Sequence, residues 1–369
     1  MRVSFLLGSA ALAVAMPTLA RPALGPALSR TVTASNVSVF ATGFNNPRGL
    51  TFGPDGSLYV AEGGIGGANS TVGQCEQVPP PVGPYTGSPT GSRITKVTPT
   101  GAKVTVAQFP SSQTSPNQGS LISGVADVKF IGNTLYAITA GSGCSHGVPN
   151  TVNAVYRIAS NGAEIQVANL SAFQATHPVA HPELDDYEPD GTWYSMVAVG
   201  NALYAVEPNH GELDRISVFG DITRVADISK TQGHIVPTAV AYRNGVFFVG
   251  NLNTFPIVPG SSKVLMITGN GNVFRLTGGL TTVVGLAFDK LGRLYVLENS
   301  VNAGFPTPGT GTIVRLTGTR QQVIASGLQL PTAMTFGPDG ALYVSNFGFG
   351  PPPSLPNGPG QVLRVTVPN

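Results

Sequence analysis

Phe52-Gly53-Pro54-Asp55-Gly56-Ser57-Leu58-Tyr59-Val60 decides how this chain is read, because Phe336-Gly337-Pro338-Asp339-Gly340-Ala341-Leu342-Tyr343-Val344 repeats it almost letter for letter. An apolar run enters a Gly/Asp turn, and an aliphatic and aromatic run leaves it. That is the pattern of a β-hairpin. Looser copies lie between the two, at Phe130 to Tyr136, Val199 to Tyr204, Tyr242 to Phe248 and Phe288 to Tyr295. The shared aromatic falls at Tyr59, Tyr136, Tyr204, Phe248, Tyr295 and Tyr343, in steps of 77, 68, 44, 47 and 48 residues. The last three steps match the period of a four-stranded propeller blade, and the first two exceed it through insertions.

Each hairpin is followed by a variable loop and a third run, such as Val155-Tyr156-Arg157-Ile158 or Ile313-Val314-Arg315-Leu316. A further turn, such as Asn161-Gly162, leads to a fourth run. No segment keeps a 3.6-residue period, so almost no helix is expected. The sixth unit stops after its third run, at Val365 to Val367. The missing fourth strand is supplied by Val37 to Gly43, which resembles Val323 to Gly327. Pairing the two ends removes an exposed sheet edge. The expected fold is all-β: a six-bladed β-propeller whose last blade is closed by the N-terminal strand, spanning residues 37–369.

The bulk numbers agree. Gly and Pro supply 47 and 31 of the 369 residues, as many short turns require. Only 10% of residues are charged and the net charge is +2, which leaves no electrostatic footprint for nucleic acid. Arg2, the apolar stretch Phe5 to Met16 and Thr18-Leu19-Ala20 read as a signal peptide over residues 1–20. Residues 21–36 read as a flexible leader. Secretion or a periplasmic location, no transmembrane anchor and a monomer are the expectations. Export also permits a disulfide between Cys75 and Cys144, the chain's two cysteines.

Strand alternation places the long loops, those between second and third strands and those before each first strand, on one face of the disc. Insertions at 62–91, 108–122, 171–191 and 298–311 therefore gather round one mouth of the central channel, where binding usually resides. Second strands end there at Glu62, Thr139, Glu207, Asn251, Glu298 and Asn346. Such an oxygen-rich ring suits calcium, with Glu62, Glu207, Asn251, Glu298 and Asn346 as ligands. The same side chains could equally bond backbone amides as staples. The loop His177 to Trp193 carries His177, His181, Glu183, Asp185, Asp186, Glu188 and Asp190, a concentration of charge that fits either a ligand site or a solvated acidic loop. Arg48, Trp193, Tyr194 and His210 are the candidate ligand-binding residues. His210 and Glu207 are the candidate acid and base. Arg48 would either grip a carboxylate or pair with Glu62.

Phe40-Ala41-Thr42-Gly43, Asn46-Pro47-Arg48-Gly49-Leu50, the first Gly-Pro-Asp-Gly turn and Glu62-Gly63-Gly64 together resemble the opening of ScyD/ScyE-family proteins. Glu188-Pro189-Asp190-Gly191 is similar to that family's Asn-Pro-Asp-Gly stretch, with Glu188 in place of Asn. The resemblance implies an exported NHL-like propeller and carries no catalytic residue. The gluconolactonase group is a weaker likeness, with Glu62, Asn251 and Asn346 as analogues of its calcium ligands and no matching Asp. Quinone-dependent sugar dehydrogenases share the Asn-Pro and Glu-Gly-Gly character without a recognisable cofactor set. Two functions stay open at this point. One is a scaffold binding a small molecule, glycan or protein at the mouth. The other is a calcium-dependent hydrolase, lactonase or lyase using the Glu/Asn ring.

Overall fold

The computed structural model describes residues 36–114, 121–182, 186–318, 320–349 and 360–368. The expected signal peptide and all but the last residue of the leader lie outside them. Six antiparallel sheets form the ring, each built on four strands. Blade 1 is Pro47–Phe52, Leu58–Glu62, Tyr85–Val97 and Lys103–Thr114. Blade 2 is Val125–Ile131, Thr134–Thr139, Ala154–Ile158 and Glu164–Asn169. Blade 3 is Ser195–Val199, Ala202–Glu207, Glu212–Ser217 and Ile222–Asp227. Blade 4 is Pro237–Arg243, Val246–Asn251, Ser262–Thr268 and Val273–Leu280. Blade 5 is Val283–Phe288, Leu294–Glu298, Gly311–Thr317 and Arg320–Leu328. Blade 6 is Ala333–Phe336, Leu342–Asn346 and Gly360–Val365, completed by Val37–Phe44. The closing strand pairs antiparallel from Val37 opposite Val365 to Phe44 opposite Gly360. First strands pack on first strands all the way round, with blade 6 returning to blade 1.

The core is not one mass. Each of the six buried apolar clusters among the described residues sits between two neighbouring blades. The repeated sequence explains how. In four blades the aromatic of the second strand meets, edge to face, the aromatic at or next to the end of the next blade's first strand. Tyr59 meets Phe130, Phe248 meets Phe288, Tyr295 meets Phe336 and Tyr343 meets Phe52, with ring centroids 4.8 to 5.2 Å apart. Such pairs add about 0.5–1.5 kcal/mol beyond area burial, so the motif is an inter-blade latch. Its turn is held by Asp55, which accepts the Ser57 amide and the Tyr59 hydroxyl. Asp339 does the same for Ala341 and Tyr343. Gly56 and Gly340 take φ of 75° and 77°, which a side chain would disfavour.

Two insertions differ from the expectation of loops. Much of 62–91 and 108–122 is strand: the outer hairpin of blade 1 pairs from Val97 opposite Lys103 out to Tyr85 opposite Thr114. Polar alternation such as Ser88-Pro89-Thr90-Gly91-Ser92 hides the strand from a hydrophobic-period reading. Helix is confined, among the described residues, to Leu170–Thr176, Ser229–Gln232 and a short turn at Cys144–His146.

Cys75 and Cys144 are disulfide-bonded, tying a blade 1 loop to a blade 2 loop on the mouth face. Cross-links of this kind stabilise by about 2–4 kcal/mol. A Cys75→Ser/Cys144→Ser protein should therefore melt several degrees lower than the oxidised wild type. Reductant should lower the wild type to the double variant's Tm and leave the variant unchanged. Equal melting temperatures for all four samples would contradict this.

Candidate functional site

The second-strand ends all reach the mouth face, and each is spent locally. Glu62 accepts the Asn45 amide at 2.6 Å and an Arg93 pair at 2.8 and 3.1 Å. Glu207 accepts the Thr192 amide at 2.9 Å and Glu298 the Thr281 amide at 2.6 Å. Asn346 accepts the Gln329 amide at 2.8 Å, and Asn251 donates to the Ile235 carbonyl at 2.9 Å. Thr139 bonds the amide and carbonyl of Ala154. Five of these side chains thus pin the segment that enters their own blade's first strand. Calcium takes six to eight oxygens turned towards one point. These oxygens are turned to backbone amides in separate blades. No group of three His, Cys, Asp or Glu among the described residues is placed to hold a metal. The calcium set of Glu62, Glu207, Asn251, Glu298 and Asn346 does not fit this donor geometry.

Register shows which blade departs from the common plan. Glu62 faces Arg93 on the third strand, Glu298 faces Thr312 and Asn346 faces Gln361. In blade 3, Glu207 faces Glu212. Both are 0 % exposed. Like charges directly opposite on a sheet destabilise it, and burial worsens the effect. Burial, with Glu207 nearby and Arg224 opposing, pushes the Glu212 carboxyl up to about 7. Asp214, two residues along the strand, is raised well above the carboxylate range by burial and by Glu212, against the Trp193 indole that donates to it at 3.3 Å.

His210 closes this group. Its amide donates to Glu207 Oε2 at 2.6 Å, and its Nδ1 lies 3.2 Å from the same oxygen. Burial opposes the charge on the ring, but Glu207, Glu212 and Glu188 outweigh it and its pKa is raised. The Tyr187 ring covers it, centroids 5.0 Å apart. Glu212 is anchored through Oε2 to Arg224. Glu212 Oε1 and His210 Nε2 are both buried and carry no hydrogen bond. Each of these two groups therefore has one atom fixed and one buried atom without a hydrogen-bond partner.

A second buried pair lies alongside. His146 Nε2 is 2.9 Å from Glu188 Oε2, and Tyr85 donates to Glu188 Oε1 at 3.3 Å. Asp190 receives the Ser145 amide and hydroxyl at 2.8 and 2.7 Å. Asp186 meets His234 at 3.2 Å, and His177 stacks on Phe173. The acidic loop's described members are thus dispersed among separate partners. Glu183 and Asp185 lie outside the described residues.

Two expectations for ligand-binding residues change. Trp193 is 0 % exposed and belongs to the core between blades 2 and 3, where it supports Asp214 and touches no open surface. Arg48 does not pair with Glu62, which is taken by Arg93. It donates instead to the Ile122 carbonyl. Tyr194 donates to the Thr332 carbonyl at 3.1 Å, from blade 3 across to blade 6. The residues missed from sequence are Glu212, Asp214, Tyr85 and His146. Glu212 and Asp214 had a readable signal: carboxylates two apart on the strand facing Glu207. His146 had none, being a lone histidine in a Gly-rich turn.

No family model matches the sequence, and no curated protein matches it. The fold defines a six-bladed β-propeller, and solved structures agree. An oxidoreductase (glucose dehydrogenase) from Thermus thermophilus superposes with TM-score 0.55 at 18% identity, covering 89% of this chain and 99% of that one. The calcium-binding protein regucalcin from Agrobacterium tumefaciens gives 0.54 at 12% identity, covering 90% and 94%. A gluconolactonase from Xanthomonas campestris gives 0.54 at 11% identity, covering 90% and 89%. At these identities the likeness establishes the fold. The ScyD/ScyE resemblance remains a reading of the sequence motifs.

Proposed function

We propose that the protein is a hydrolase of the lactone or ester class, working at the blade 3 side of the mouth with Glu212 and His210 as its proton-transfer pair. The observation that carries this is the pair of buried atoms without hydrogen-bond partners, Glu212 Oε1 and His210 Nε2, on two anchored groups whose pKa values are both raised, that of Glu212 to about 7. Groups with a pKa near the working pH are the effective general acids and bases. Glu212 takes a proton from the attacking water. The carbonyl–oxygen bond of the lactone breaks, and the leaving alkoxide takes a proton from His210. Water and lactone are consumed and a hydroxy acid is formed. Glu207 orients the imidazole through Nδ1, and Asp214 with Trp193 fixes the strand beneath. The gluconolactonase among the fold's neighbours is named for chemistry of this class, which supports the reading. No calcium step is included, because the donor set does not fit one.

The test uses δ-gluconolactone and an aryl acetate with wild type, His210→Asn and Glu212→Gln. The expected loss in kcat is about 10²–10⁴-fold for each variant, with a bell-shaped pH profile in the wild type. Hydrolysis unchanged in both variants would sink the assignment.

A further inference from the structure

Thr192 ties two buried clusters together. Its amide donates to Glu207 Oε1 and its hydroxyl to Glu188 Oε2, both at 2.9 Å. On one side, Glu207 Oε2 receives the His210 amide at 2.6 Å and lies 3.2 Å from His210 Nδ1. On the other, Glu188 Oε2 lies 2.9 Å from His146 Nε2, and Glu188 Oε1 accepts the Tyr85 hydroxyl at 3.3 Å. Glu188, His146, Glu207 and His210 are all buried. A carboxylate this deep keeps its charge only beside a counter-charge and hydrogen-bond donors, and Glu188 has both. These partners come from three blades: Tyr85 from the outer hairpin of blade 1, His146 from a blade 2 loop, and Thr192 from the segment entering blade 3. The His146 turn is itself fixed, by the Cys144 disulfide and by Ser145 on Asp190 at 2.7 and 2.8 Å.

We propose that Glu188 and Thr192 are positioning residues for the Glu212–His210 pair, and that His146 and Tyr85 hold Glu188 for that task. This deepens the hydrolase reading and rests on it. Glu188 grips the Thr192 hydroxyl, the Thr192 amide fixes Glu207, and Glu207 sets the imidazole. No proton passes along this line, because its middle link is a backbone amide. What passes is orientation, and a displacement of about 1 Å far from the chemistry can cost about 10²-fold in rate. His210 faces Glu207, Glu212 and Glu188, with the Tyr187 ring over it. His146 faces Glu188, Asp190 and the Tyr85 ring. The titration of the His210 ring therefore reports where these carboxylates stand.

The experiment compares full-length wild type, Thr192→Val, Thr192→Ser and Glu188→Gln, with Asp339→Asn in the blade 6 hairpin turn as a control for lost stability. Two quantities are read: hydrolysis of δ-gluconolactone, and the His210 imidazole titration by NMR, assigned by its absence in His210→Asn. Thr192→Val keeps the amide and removes the hydroxyl. It should lower kcat by roughly 10²-fold at unchanged KM, and its His210 should titrate at lower pH than in wild type. Glu188→Gln should lower kcat to the same extent. Thr192→Ser, which returns the hydroxyl, should restore both quantities. Asp339→Asn should lower the Tm and move neither. A Thr192→Val protein with wild-type kcat and His210 titration overturns the proposal, as does a Thr192→Ser protein that behaves like Thr192→Val. Thr192→Ala supplies the same two readouts should Thr192→Val fail to fold. If the wild type hydrolyses no substrate, the hydrolase reading fails, and the titration alone decides the link. A His210 shift in Thr192→Val and not in Asp339→Asn then upholds it, and no shift overturns it.

Discussion

A chain beginning at Asn45, without the strand Val37–Phe44, should not form a stable monomeric disc. That strand is the outer edge of blade 6 and supplies six register pairs with Gly360–Val365. Phe44 is 0 % exposed in the cluster between blades 6 and 1, and Phe40 packs edge-on against Tyr343 at 5.0 Å. Removing one buried Phe side chain costs about 3–5 kcal/mol. Losing two aromatic contacts, the ladder and the covering of the edge approaches the whole stability of a domain, roughly 5–15 kcal/mol. The edge left at Gly360–Val365 would also invite pairing between molecules. Size-exclusion chromatography and circular dichroism should therefore show aggregates or a greatly lowered Tm. Adding the peptide of residues 36–44 in trans should recover part of the loss. A truncated chain that stays monomeric with the wild-type Tm would show that the disc closes without this strand.

Stability should fall as pH rises from about 4.5 through 7, the reverse of a protein held by ordinary ion pairs. The sign follows from Glu212. Its ordinary value is 4.5 and the folded value is about 7, so between these the folded state keeps a proton that the unfolded chain has lost. Stability then declines across that window, on the order of 3 kcal/mol for this group alone. Asp214 is shifted in the same direction. His146 and His210 act with the same sign. Burial opposes their charge, but Glu188 and Glu207 respectively raise both above 6.5, so their contribution is lost as pH climbs through the folded values. Asp55, Asp227, Asp289 and Asp339 are lowered against their burial by hydrogen bonds, chiefly from Lys96, Ser229, the Arg293 amide and Arg364 respectively. Their contribution is lost only in more acidic solution. Maximum stability is expected near the ordinary carboxylate range, about pH 4–5. Thermal melts from about pH 4 to 9 check the slope that proton linkage requires. Glu212→Gln should flatten it between about pH 5 and 7. An unchanged slope in that variant would mean that Glu212 is already ionised in the folded protein at about pH 5.

Much of this architecture was legible in the amino-acid order because its causes are local or periodic. A hairpin needs only an apolar alternation and a turn residue that tolerates positive φ, and both are written within the short stretch Phe52 to Val60. The recurrence of Tyr59's equivalents counts the blades, since each stands at the same place in its own second strand. The missing sixth fourth-strand, matched by Val37 to Gly43, announces closure. The outer hairpin of blade 1 was not legible, because its strands pair through serines, threonines and glycines that carry no hydrophobic period.

The second-strand ends were visible as a set, but their role was not. A side chain's charge is apparent in a sequence, whereas the amide it turns towards belongs to another segment. The ring thus became a row of staples once Asn45, Thr192, Thr281 and Gln329 were seen beside it. Glu188 and Tyr85 stand 103 positions apart and share a hydrogen bond. Glu207 and Glu212 lie close in the chain, yet only strand pairing makes them face each other, and only burial at 0 % exposure turns that into a raised carboxyl. Trp193 reads as a surface aromatic in a charged loop, and the packing of blade 2 against blade 3 makes it core. Neighbours along the chain were enough to specify the repeat, the turns and the closure. Which charges are desolvated and which buried atoms are left without hydrogen-bond partners was settled by the packing of the blades, because dielectric and hydrogen-bond partners are properties of the assembled disc.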